Sequence, residues 1–286
     1  MIPSLPRPLW LRGATALYLI AFLAFLFLPL AVVAVFAFND APYPAPPWRG
    51  FTLDWFLGNS NLGRTGLFAD GDLLGSIWTS SLVAICVTAL SALVGTTNAF
   101  LIERGRFPGK QALSIMMLAP LVIPGVILGI SILAFASRVA DFADDALGLE
   151  LDFLRPGLPL VVLGQFSYIA TIATLTISAR LRRFDRTLEE AALNLGASRA
   201  AVFRTIVLPY LRPALLGSAA ISFLMSFADF NTTLMLVGSD TPLTVMMYGR
   251  MREGATPVLN AVSLFLMIAS AVLALTLLRR GRARPT

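Results

Sequence analysis

Two groups of polar residues stand out by type and spacing in a chain of 286 residues that is 57% hydrophobic. One is the interval from Glu189 to Pro209, EEAALNLGASRAAVFRTIVLP, which sets two carboxylates, a glycine and two arginines close together. Carboxylates there can cap a helix or accept charge-assisted hydrogen bonds from a partner's cations. The other is Asp229, in Ser226-Phe-Ala-Asp-Phe-Asn-Thr-Thr233, where a carboxylate interrupts an apolar stretch and needs compensating partners. The chain has no histidine and a single cysteine, Cys86. Ser/His/Asp triads, imidazole acid–base work, His-ligated zinc, disulfide frameworks and thiolate metal clusters are therefore excluded, and no metal site is expected.

The elements that must carry these residues are membrane spans. Mean hydropathy is +0.79. Charged residues make up 13% of the chain, where soluble domains average roughly 25%. Six apolar segments have spanning length: Ala14–Phe38, Ile77–Ile102, Ala112–Ala136, Leu158–Ile177, Leu215–Val237 and Val258–Leu278. About 20 residues at ~1.5 Å each cross a hydrocarbon core of ~30 Å. The first segment follows Arg7 and Arg12 but exceeds the ~7–15 residues of a signal-peptide core, and no A-x-A site closes it, so a retained helix is expected. Pro120, Pro124 and Gly125 predict a kink or unwinding in the third span.

Charge placement orients the spans. Arg7, Arg12, Arg104, Arg106, Lys110, seven arginines between Arg180 and Arg212, and Arg279, Arg280, Arg282 and Arg284 fall on one side. That is 16 of the 22 basic residues, and the Lys/Arg-rich side is cytoplasmic. Both termini are expected inside. The pI of about 10.2 is then a topology signal and not a mark of nucleic-acid binding. The expected divisions are a cytoplasmic N-terminus (1–13), a first span (14–38) with a periplasmic loop (39–75), a five-span core (76–278) and a basic cytoplasmic tail (279–286). The proline-rich start of the periplasmic loop, residues 41–47, should be extended and stiff. Asp141, Asp144, Asp145, Glu150 and Asp152 are expected in the next outer loop, and Met246, Met247 and Tyr248 in the last.

The interval around Glu190 falls in the longest cytoplasmic loop, 178–214. Thr187-Leu-Glu-Glu190 fits a capping box. Gly196 offers the left-handed position that ends a helix, and Ser198 can cap a second helix to about Val207, stopped by Leu208-Pro209.

Glu190-Ala191-Ala192, three residues, Gly196, nine residues and then Ile206-x-Leu208-Pro209 resembles the EAA loop of bacterial ATP-binding-cassette (ABC) importer permeases. Its place between the fourth and fifth spans is also that family's. Phe51-Thr-Leu-Asp-Trp55 and Gly75-Ser-Ile-Trp-Thr-Ser-Ser81 resemble the segment leading into the family's core helices. The resemblance implies an all-α polytopic membrane protein of the type I importer permease fold in the bacterial inner membrane. It implies that Glu190, Ala191, Ala192, Gly196, Ile206, Leu208 and Pro209 couple to a separate ATPase dimer, which holds the ATP and magnesium. It also implies a second permease subunit, a related chain rather than a self-copy, and a periplasmic solute-binding protein. The chain's one Gly-Lys, Gly109-Lys110, is followed by Gln111 and lacks the glycine spacing of a phosphate-binding loop, so no nucleotide or cofactor is expected on this chain.

Asp229 and Asn231, with Gln165 and Tyr168 on the fourth span, are the candidates for lining the pathway; the alternative is hydrogen bonding between neighbouring helices. The segments from Ser226 to Asp240 and Thr256 to Ser263 resemble spermidine/putrescine-type permeases, which implies a polyamine as solute. Where many of those relatives carry an acidic pair, Ala228 precedes Asp229 here. Other solutes of the same importer class, an amino-acid derivative, opine or aminophosphonate, are the alternatives, with an ion-coupled secondary transporter as a further one. An intramembrane enzyme would need a catalytic pair that one internal carboxylate does not supply.

Overall fold

The computed structural model describes residues 9–254 and 256–282, and among these it is helical, with two isolated β-bridges and no strand. Arg7 and Arg284 lie outside the described residues, as do the side chains of Arg279, Arg280 and Arg282. The described residues divide into two compact units, those within 1–71 and 250–268, and those within 72–249 and 269–286.

The first unit opens with α1, Leu9–Phe36, whose most apolar stretch is not buried among the described residues. A helix apolar on all sides and unburied is one that lipid or another subunit must cover. After it the chain folds tightly. Residues 41–47 run as a series of bends, not the extended rod expected from their prolines. The buried Asn39 gathers them: its side chain donates to the Pro47 carbonyl (3.2 Å) and accepts from the Arg49 amide (2.8 Å). The Trp55 indole of the short α2, Asp54–Leu57, donates to the Asn39 carbonyl at 2.8 Å. Arg64 stacks 4.8 Å above the Trp55 ring and pairs with Asp40 and Asp54.

The second unit holds the bundle. Its helices are α3, Gly71–Arg104, which starts six residues before the expected span; α4, Lys110–Val122; α5, Gly125–Leu147; and α6, Leu158–Leu181. Two short helices follow, α7, Thr187–Asn194, and α8, Arg199–Val202. Then come α9, Leu208–Phe227, and α10, Asn231–Leu236; α11, Leu243–Gly254, passes into the first unit at residue 250, and α12, Val258–Arg282, belongs to the first unit up to residue 268 and to the second from 269. Five described helices are long and apolar enough to cross a membrane: α1, α3, α5, α6 and Arg199–Phe227.

Two expected spans are redrawn. The third is not one helix over 112–136 but two, because Pro124 supplies no amide and forces Ile123 into extended backbone. The second piece continues to Leu147, which puts Asp141, Asp144 and Asp145 on helical turns and not in a loop, the first two beside Arg155. The fifth does not run through 215–237; it breaks at residues 228–230 between α9 and α10. The expected last outer loop is largely helical, with Met246 to Tyr248 inside α11. The core forms where α3, α5, α6 and α10 converge on Val83, Val87, Ala136, Leu160, Val161, Ile169 and Leu236.

Candidate functional site

The α7–α8 hairpin is built from local signals. α7 ends in a Schellman arrangement: the Gly196 amide donates to the Leu193 carbonyl at 3.0 Å and the Ala197 amide to the Ala192 carbonyl at 3.1 Å. Gly196 has φ +84°, a conformation a Cβ would strain. The Ser198 hydroxyl accepts from the Ala201 amide at 3.2 Å and caps α8, as its type predicts.

The expected capping box does not form. Thr187 is already the first helical residue, and its amide and hydroxyl both donate to Asp185 Oδ1, at 3.0 and 2.8 Å. Those donors hold the Asp185 carboxyl below the usual carboxylate range. Glu190 is left exposed, its carboxylate free of capping duty. Nor does Leu208-Pro209 end the second helix. A π turn over Phe203–Val207, closed by the Leu208 amide on the Phe203 carbonyl, widens the helix ahead of Pro209, and α9 continues directly.

The residues expected to couple therefore fall into two groups. Glu190, Ala191 and Gly196 are exposed and Ala192 half-buried on the hairpin, alongside Leu193 and Leu195, the latter 88% exposed. Leu208 and Pro209 are exposed at the start of α9, whereas Ile206 packs on Leu181, Phe184, Val207 and Leu211.

The second site forms at the break in the fifth span. Asp229 caps α10, accepting from the Thr233 amide (2.9 Å) and hydroxyl (2.8 Å) on Oδ2. Tyr168 of α6 donates its hydroxyl to Oδ1 at 3.1 Å. Gln165, 1% exposed, donates to the Thr233 hydroxyl at 2.8 Å and accepts from Ser226. The network joins Asp229, Gln165 and Tyr168 across α6, α9 and α10, so the helix-to-helix bonding weighed in the sequence is present. Asn231 is not part of it; it is exposed and faces the other break. A Cβ on Gly125 would lie 3.1 Å from that of Asn231 and 3.5 Å from Thr232 Oγ1. The interruptions of the third and fifth spans thus abut. Irregular backbone at membrane depth persists where it is buried or lines a cavity, and paired broken helices are a common way to build a transport site.

Sequence reading had singled out Pro124, Gly125 and Asp229 separately. The meeting of Gly125 with Asn231 and Thr232 carried no local signal. Ser226 and Thr233, the hydrogen-bonding partners, were visible only as a polar run.

A family model described as binding-protein-dependent transport system inner membrane component matches residues 99–281. The putrescine transport system permease protein PotI of Escherichia coli strain K12 is 29% identical over 245 residues, covering 85% of this chain and 82% of that protein. The spermidine/putrescine transport system permease protein PotC of Haemophilus influenzae is 28% identical, covering 87% of this chain and 89% of its own length. Among solved structures, a bacterial ABC transporter involved in the import of the acidic polysaccharide alginate has a similar fold, with TM-score 0.76 and 19% identity over 97% of this chain and 96% of that one.

Proposed function

The chain belongs to the family of binding-protein-dependent transport system inner membrane components, the multi-pass permease subunits of ABC importers, and from that premise we propose that it passes a polyamine of the putrescine and spermidine class. The observation that carries the solute class is the similarity to putrescine and spermidine/putrescine permeases along most of the chain. The carboxylate of Asp229 beside the two helix breaks suits a cationic solute, with Asn231, Gln165 and Tyr168 as the polar surroundings of its path.

The chain works as half of a transmembrane pair, with a related permease chain as the other half. A periplasmic binding protein delivers the solute. ATP and magnesium belong to a separate ATPase dimer that docks on the hairpin of Glu190, Ala191, Ala192 and Gly196, with Leu208 and Pro209 beside it. Exposed Leu195 and Glu190 give that dock an apolar and an acidic contact. Ile206 anchors the hairpin from beneath.

The test is reconstitution of the permease pair, ATPase and binding protein in vesicles, with labelled putrescine and spermidine as solutes. ATP-dependent uptake of either supports the reading. ATP-dependent uptake only of a different solute class overturns the polyamine assignment, and uptake without any ATPase overturns the coupling.

A further inference from the structure

Helix α7 has no fully buried residue among the described residues, so no core side chain of its own anchors it to the bundle. Its side-chain link to a membrane-spanning helix is an ion pair. Arg104, the last residue of α3, reaches Glu189 with both terminal nitrogens, Nη1 donating to Oε2 at 2.9 Å and Nη2 to Oε1. The pair is sheltered, with the two side chains 28% and 18% exposed. The Arg104 guanidinium carbon lies 4.9 Å over the Phe100 ring and 5.9 Å from Phe184. Phe184 is itself buried against Leu181, Val207 and Leu211. Arg104 therefore touches α3, the turn after α6 and α7 at once. The neighbouring Glu103 receives Arg182, at 2.8 and 3.2 Å, and its carbonyl receives Arg186 at 3.1 Å, but Arg182 is 73% exposed and that pair is weak by comparison.

We propose that Arg104 and Glu189 form the internal link through which movement of the coupling hairpin reaches the inner end of α3. The inference rests on the coupling role of the hairpin proposed above. A two-pronged guanidinium–carboxylate pair fixes orientation as well as distance, so a shift or tilt of α7 is passed to α3 and not absorbed. Glu190, one residue on, points outward and remains available to the ATPase. Adjacent carboxylates thus divide the work, Glu189 facing inward and Glu190 outward. Both are positioning residues, acting on the pathway through the helices they hold.

The experiment compares solute uptake per ATP hydrolysed in vesicles containing the whole complex. Arg104→Ala and Glu189→Ala should each lower that ratio at least about fivefold, the low end of typical coupling between sites, while complex assembly and ATP hydrolysis persist. The double variant should be no worse than either single one, and the exchange Arg104→Glu with Glu189→Arg should recover most of the ratio. Should Arg104→Ala fail to assemble, Arg104→Lys keeps the charge but loses the two-pronged geometry and should show an intermediate ratio. A wild-type ratio in Arg104→Ala or Arg104→Lys, or additive losses in the double variant, would overturn the link. If the wild-type complex itself showed no ATP-driven uptake, the underlying importer reading would be the one to fall.

Discussion

Asp229 holds the break in the fifth span together, and substitution can separate that role from the contact with solute proposed above. In Asp229→Ala the Tyr168 hydroxyl and the Thr233 amide lose their acceptor, Thr233 being 1% exposed. An unsatisfied buried group costs about 1–3 kcal/mol, so the thermal midpoint of the detergent-solubilised protein should fall. Asp229→Asn keeps an acceptor oxygen for the Thr233 amide and should lose less. If polyamine uptake nonetheless falls as far in Asn as in Ala, the charge acts on the solute; if uptake tracks stability alone, Asp229 only holds the break together. Asp185 offers a pH test outside the membrane. Its folded pKa is depressed, so its hold on the start of α7 is complete above the ordinary carboxylate range, about 4, and is lost as pH falls through the lowered value. Protection of the Thr187 amide from hydrogen exchange, taken relative to a free amide at the same pH, should hold from neutral pH down to that range and be lost only below it; loss of protection well above it would contradict the assignment.

The α7–α8 hairpin joins two helices through one left-handed residue, and its own stability is modest. Ser198→Ala should cost about 1 kcal/mol of local stability, read as faster exchange in α8 with uptake reduced but not abolished. Gly196→Trp tests the face itself. Nothing lies within 4 Å of a Cβ at this position, so the penalty inside the chain is the left-handed backbone, about 1–2 kcal/mol, and the bulk of the indole meets only what docks there. Uptake should be lost and membrane insertion kept; normal uptake would mean that nothing docks on this face. These local devices were legible because they depend on residues a few positions apart. The capping box was misread because Asp185, two residues upstream, competes better for the Thr187 amide once the helix begins at Thr187. Proline's reputation as a helix stop failed at Pro209 because the π turn removes the carbonyl conflict that proline creates. The Arg104–Glu189 pair joins residues 85 positions apart, and the meeting of Gly125 with Asn231 depends on how two broken spans pack; neither leaves a periodic trace.

For the molecule as a whole, hydropathy and charge placement supplied the membrane-spanning class and an expected orientation that labelling can check. Cys86 is the one cysteine, so Cys86→Ser gives a clean background. A cysteine in place of exposed Asn61 should react with an impermeant thiol reagent from the periplasm, and one in place of exposed Ala191 only after the inner face is opened. The reverse pattern would invert the topology and remove the hairpin from any cytoplasmic ATPase. The π turn at Phe203–Val207 also sets the rotational phase of everything beyond it. Ser218, Ser222 and Ser226 are buried at four-residue intervals, and Ser226 bonds to Gln165 of α6. Deleting one residue from the turn would rotate that seam by about 100° relative to the hairpin, since each residue advances a helix by that angle. The stretch should therefore tolerate changes of side chain far better than changes of length, behaving as a gear tooth and not as slack.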